Sequence, residues 1–173
     1  MSKRKSYWDY KRIFEKFKGN HKVFIETGTH QGDSVLDALD LGYDKIYSVE
    51  INKKFYDTSV GKVNQYYPKA IESGRVVLKL GDSREWFPIF INMIGDQSAF
   101  FWLDSHHGGD VPTSFELNTI IESGYKHHTI AIDDIDLHVM ESSMDIYCKD
   151  INSKYKTELF EGITPSKQKV YYV

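Results

Sequence analysis

From His21 onward, short apolar runs alternate with longer segments whose apolar residues recur every three or four positions. The runs are "KVFIETG", "KIYSVEI", "RVVLKLGDS", "AFFWLDS" and "HTIAIDDI". Three are unbroken apolar stretches carrying β-branched residues, the pattern of strands covered on both faces, so they predict a parallel sheet. The segments between them predict helices over roughly 34–41, 53–73, 84–94 and 113–123, and strands alternating with helices close by right-handed crossovers into an open sheet. A polar helix over about 137–151 then leads to "KYKTELFEG" and "KQKVYYV", which the "ITPS" turn makes antiparallel. The expected fold is α/β: a single domain over 1–173 with a doubly wound seven-stranded sheet, mostly parallel with an antiparallel C-terminal strand. Ahead of it, Tyr7, Tyr10, Ile13, Phe14 and Phe17 mark an amphipathic helix ending near Gly19, docked on the domain or serving as a lid.

Composition narrows the partners. With 22 basic and 25 acidic residues the net charge is -3, which argues against a whole-surface nucleic-acid binder, leaves a local basic patch open and gives no strong membrane signal. The partner, expected to be a small-molecule acceptor, is therefore inferred from local features. The one cysteine, Cys148, has no internal partner and no basic cluster around it, so it reads as a buried structural thiol in a reduced, cytoplasmic protein. His127 and His128, just before the fifth run, are expected at the surface or as caps, away from any site. The pairs Tyr66-Tyr67 and Tyr171-Tyr172 are expected to pack rather than to bind.

The chemistry gathers where the runs end. In an open α/β sheet, ligands bind outside the carboxyl ends of the strands, and all five runs finish with a carboxylate: Glu26, Glu50, Asp82, Asp104, and the pair Asp133-Asp134. The turn after the first run, Gly28-Thr29-His30-Gln31-Gly32, lacks the middle glycine of a dinucleotide turn and the Lys-Ser/Thr ending of a phosphate loop. Glu50, 18 residues past Gly32, can accept both hydroxyls of a ribose. Asp82 can accept from an adenine amine, and Glu26 can receive an ammonium directly or through water. The set suits a nucleoside with a cationic amino-acid tail.

Glu26-x-Gly28-x-x-x-Gly32, Glu50 and Asp82 together resemble the class I S-adenosylmethionine-dependent methyltransferases, whose fold is Rossmann-like, over His21 to the C-terminus. The resemblance implies donor contacts from Glu26, Gly28, Thr29, Gly32, Asp33, Ser34, Glu50, Asp82, Ser83 and Asp104. A binding module that holds the donor without transfer, and an NAD-dependent oxidoreductase, are the competing readings.

A second feature lies at the fourth and fifth runs. Adjacent strands are about 4.8 Å apart, so Asp104, Asp133 and Asp134 should converge, and no arginine follows Arg84 to neutralise them. A hard divalent ion, Mg²⁺, would. "FWLDSHHGGDVPTSFEL" with "GYKHHTIAIDDID" resembles the metal-dependent sugar O-methyltransferases of the macrocin and mycinamicin type and the cephalosporin-hydroxylase-like group. That resemblance implies Mg²⁺ on Asp104, Asp133 and Asp134, a hydroxylated acceptor such as a sugar or glycoside, and a base among Asp136, His106 and His138.

Overall fold

The structure, a computed structural model, describes residues 9–106, 109–136 and 141–173. Seven strands form one sheet: β1 (Val23–Thr27), β2 (Lys45–Glu50), β3 (Val76–Leu80), β4 (Ala99–Leu103), β5 (Thr129–Ile132), β6 (Lys156–Phe160) and β7 (Gln168–Tyr172), in the order β3-β2-β1-β4-β5-β7-β6. The first five are mutually parallel, and β7 runs antiparallel to both neighbours, β5 and β6. Strand order reverses between β1 and β4, which opens a crevice at their carboxyl ends.

Side-chain alternation divides the core in two. Phe24, Ile46, Phe100 and Trp102 point to one face and pack with residues of α1 (Lys11–Phe17), α2 (Asp33–Asp40) and α3 (Lys53–Tyr66). Ile25, Tyr47, Phe101 and Ile132 point to the other, toward α4 (Ser83–Ile94), α5 (Thr113–Ser123) and α6 (Glu141–Ile151). Cys148, on α6, is fully buried as expected, and burial pushes its thiol pKa up.

The amphipathic N-terminal segment docks on its own sheet. Ile13, Phe14 and Phe17 are buried, and the Phe14 ring sits 5.1, 5.6 and 5.0 Å from those of Phe24, Phe100 and Trp102. Its basic side answers acids of the same domain, with Lys11 2.9 Å from Asp40 and Lys16 2.5 Å from Glu158. Tyr7 lies outside the described residues.

Two expectations are corrected. The helix expected to run to position 73 ends at Tyr66, because Pro68 disfavours the α region for Tyr67, which sits at φ -137° and ψ 68°. His128 is not a surface residue: it is 2 % exposed, its Nδ1 accepts from the Ala99 amide at 3.1 Å, and Phe101 lies edge-on to its ring. His127 is exposed.

Candidate active site

The turn after β1 is shaped by close packing. Gly28 has φ +84°, and a Cβ there would lie 2.2 Å from the Asp104 carbonyl oxygen, so only glycine lets the turn rest against the end of β4. Gly32, at φ +81° before α2, would bring a Cβ within 2.8 Å of the Ser59 Cβ on α3. Asp33 opens α2 and pairs with Lys62 at 3.0 Å.

Beneath the turn lies a polar column. Thr29 Oγ1 and Ser48 Oγ are 2.5 Å apart, and Ser48 Oγ donates to Glu26 Oε2 at 2.6 Å. Glu26 is fully buried; burial pushes its carboxyl up to about 7 against the opposing hydrogen bonds of Ser34 and Ser48. Through Ser48 its Oε2 connects to Thr29 of the turn.

Glu50, 6 % exposed, caps β2 and accepts from two amides, His30 N at 2.6 Å and Asn52 N at 2.8 Å. The first bond holds His30 at φ +48°, with its ring 4.2 Å from that of Phe55. A carboxylate has about four lone-pair sites, so Glu50 keeps acceptor capacity toward a ligand. Asp82 behaves otherwise. It caps α4 through the Arg84 amide at 2.8 Å, and the Arg84 guanidinium grips both its oxygens, at 3.0 Å for Nε to Oδ1 and 2.7 Å for Nη2 to Oδ2. The Arg84 hydrogen bonds hold the Asp82 carboxyl below its ordinary pKa, and the same Nη2 reaches Asp110 at 2.7 Å. Ser83 beside it is buried. Between these groups opens a cleft of about 250 Å³, lined by Gly28, Glu50, Ile51, Phe55, Asp82 and Asp104 among others.

A second cavity of about 470 Å³ adjoins the first, and His30, Asp104 and His106 line both. In its wall, one ligand atom each from Asp104, His106 and Asp134 lie within 4.8 Å of one another. His106 Nδ1 is 3.5 Å from Asp104 Oδ1, and its Nε2 is 3.2 Å from Asp134 Oδ2. Burial, then the charges of Asp133 and Asp134, raise the Asp104 pKa well above the ordinary carboxylate range. Asp134 sits at φ +51° and accepts from Ser166 Oγ.

The trio expected from sequence was Asp104, Asp133 and Asp134; the structure gathers Asp104, His106 and Asp134. Asp133 still borders the cavity but is 3 % exposed, and it is engaged by Tyr10 Oη at 2.5 Å, Gln168 Nε2 at 2.7 Å and the Asp134 amide at 2.9 Å. Burial raises its pKa and the Tyr10 hydrogen bond opposes the rise. Asp136 lies exposed on the rim and accepts from the Lys167 amide at 2.8 Å. His138 lies outside the described residues. Sequence reasoning did not find Tyr10, Ser166 or Gln168 here; the strand-end pattern points only to the carboxylates they hold.

No family profile and no curated protein matches the chain. Solved structures do match its fold. A precorrin-6y C5,15-methyltransferase from Geobacter metallireducens superposes with a TM-score of 0.68 at 12 % identity, over 99 % of this chain and 91 % of that one. The O-methyltransferase TomG from Streptomyces achromogenes, solved with S-adenosylmethionine, gives 0.63 at 11 % identity, over 94 % and 77 %. This chain has the class I methyltransferase fold. At such identities the likeness concerns architecture. Within that fold, the first cleft and the group of Asp104, His106 and Asp134 both lie at the carboxyl ends of the parallel strands.

Proposed function

We propose that the protein is an S-adenosylmethionine-dependent O-methyltransferase acting on a small hydroxylated acceptor, such as a sugar or glycoside, with the help of a divalent cation. The observation that carries this reading is the meeting of two cavities at Asp104 and His106: one bordered by a strand-end glutamate and a glycine turn, the other by carboxylates and hydroxyls.

Glu50 would accept the ribose hydroxyls, and the exposed Ile51 beside it offers an apolar surface for the adenine. Asp82, gripped by Arg84, turns an arginine-neutralised edge to the nucleoside end. Asp104, His106 and Asp134 would hold the cation. Two carboxylates and an imidazole form a donor set that suits a first-row divalent ion better than the all-oxygen shell of Mg²⁺, the ion the sequence resemblance implies. Such an ion supplies Lewis acidity, lowering the pKa of an acceptor hydroxyl. Asp136 borders the acceptor cavity without being buried or joining the cation group, so it is the described residue we assign as the base. Tyr10, Thr164 and Ser166 add hydroxyls to the wall, and no Lys or Arg lines it among the described residues, which suits a neutral polyol better than an anionic acceptor.

The test is calorimetric titration of S-adenosylhomocysteine with and without Mg²⁺, with NAD⁺ in parallel. Binding of the adenosyl compound alone is expected, and Glu50→Gln should weaken it about ten-fold or more. Binding of NAD⁺ instead, or of neither, overturns the proposal.

A further inference from the structure

One buried carboxyl belongs to neither cavity. Glu116, in the first turn of α5, has no exposed surface. Its Oε1 accepts from Ser105 Oγ at 2.6 Å and its Oε2 from Thr27 Oγ1 at 3.3 Å, while Ser83 faces the same group. Each partner sits next to a residue of the proposed site. Thr27 precedes Gly28, Ser105 lies between Asp104 and His106, and Ser83 follows Asp82. Glu116 thus ties the donor turn and the cation arm to one point through Thr27 and Ser105.

We infer that Glu116 is a positioning residue whose carboxyl sets the spacing between the donor cleft and the cation group. The inference rests on the reading that the first cleft takes the donor and that Asp104, His106 and Asp134 take the ion. The spacing matters because methyl transfer needs the acceptor oxygen in line with the methyl and sulfur, and a displacement of about 1 Å costs about a hundred-fold in rate. The Ser105 bond, at 2.6 Å, is short and directional and resists such displacement better than apolar packing does, and the Thr27 bond, at 3.3 Å, is the looser of the two. The two arms are separable. Ser105 governs the loop that carries both Asp104 and His106, whereas Thr27 governs the turn at Gly28.

The experiment measures two affinities in each variant: S-adenosylhomocysteine by calorimetry, and Mn²⁺, visible by electron paramagnetic resonance, in place of Mg²⁺. Ser105→Ala should weaken Mn²⁺ about ten-fold and leave the nucleoside affinity within about two-fold; Thr27→Val should do the reverse. Glu116→Ala should lose both, and Glu116→Gln, which keeps one acceptor oxygen, should recover part of each. A general loss of stability would not separate the two affinities, and circular dichroism checks that the single-arm variants keep the wild-type fold. If wild-type protein binds both probes but the two arms fail to split them, the Glu116 inference falls alone. If wild-type protein binds neither probe, the proposed function falls and takes this inference with it.

Discussion

Replacing Gly28 with alanine tests whether the turn is set by contact with β4. The new Cβ would lie 2.2 Å from the Asp104 carbonyl oxygen, more than 1 Å inside ordinary contact, and 2.8 Å from its carbon, and both atoms are backbone. No rotamer change relieves that overlap. The φ of +84° adds a left-handed penalty of roughly 1–2 kcal/mol for any residue with a Cβ, and forced overpacking costs about 1–3 kcal/mol. The expected loss is therefore about 2–5 kcal/mol, a large share of the roughly 5–15 kcal/mol that holds a domain folded. Gly124, which ends α5 at φ +75° with nothing within 4 Å of a Cβ, supplies the control: Gly124→Ala bears only the conformational cost. Urea unfolding without ligand, followed by tryptophan fluorescence, compares the two. A Gly28→Ala cost within about 0.5 kcal/mol of the Gly124→Ala cost would refute the rigid contact.

Three further outcomes are expected. Burial pushes His128 down to about 4 from 6.5, so stability is lost as pH falls through that window; between pH 7 and 5 the wild type should lose about 2 kcal/mol more than His128→Asn, whose amide oxygen can replace Nδ1 as acceptor for the Ala99 amide, in parallel urea titrations. Glu26 has the opposite sign, because its folded pKa is raised to about 7 from 4.5. Its stabilising share is present below 4.5 and lost as pH rises through 7, so Glu26→Gln should gain on the wild type by up to about 3 kcal/mol between pH 4.5 and 8. Phe14→Ala, which empties the contact between α1 and the sheet, should cost about 3–5 kcal/mol by thermal unfolding; a cost under about 1 kcal/mol would mean that α1 is not docked as described.

The sheet was readable because strands covered on both faces leave long apolar runs, and those runs place Glu26, Glu50, Asp82 and Asp104 at its carboxyl edge. What a strand end does with its carboxylate was less readable. Asp82 sits where a ligand contact was expected, but Arg84, two residues on, claims it, and a spacing of two on a helix start gives no face signal. Asp133 and Asp134 lie past the end of β5, where Asp134 takes a left-handed φ of +51°; one side chain turns to Tyr10 and Gln168 and the other to the cavity beside His106. Glu116 was hidden for a different reason. An acidic residue in the first turn of a helix is ordinarily a dipole partner at the surface, and only the packing of α5 against the strand ends takes it inside.

Asp133 is grasped by Tyr10, 123 positions earlier, and by Gln168, 35 positions later, and the second belongs to the strand that slides in between β5 and β6. During synthesis the sheet can zip from β1 through β5 while this corner is still open. The corner closes only after β7 has left the ribosome and found its slot, and the opening helix packs Phe17 against Phe160 of β6 and Tyr172 of β7. The place of the Asp133 carboxylate would then be among the last features a growing chain fixes, and clipping either terminus would release it.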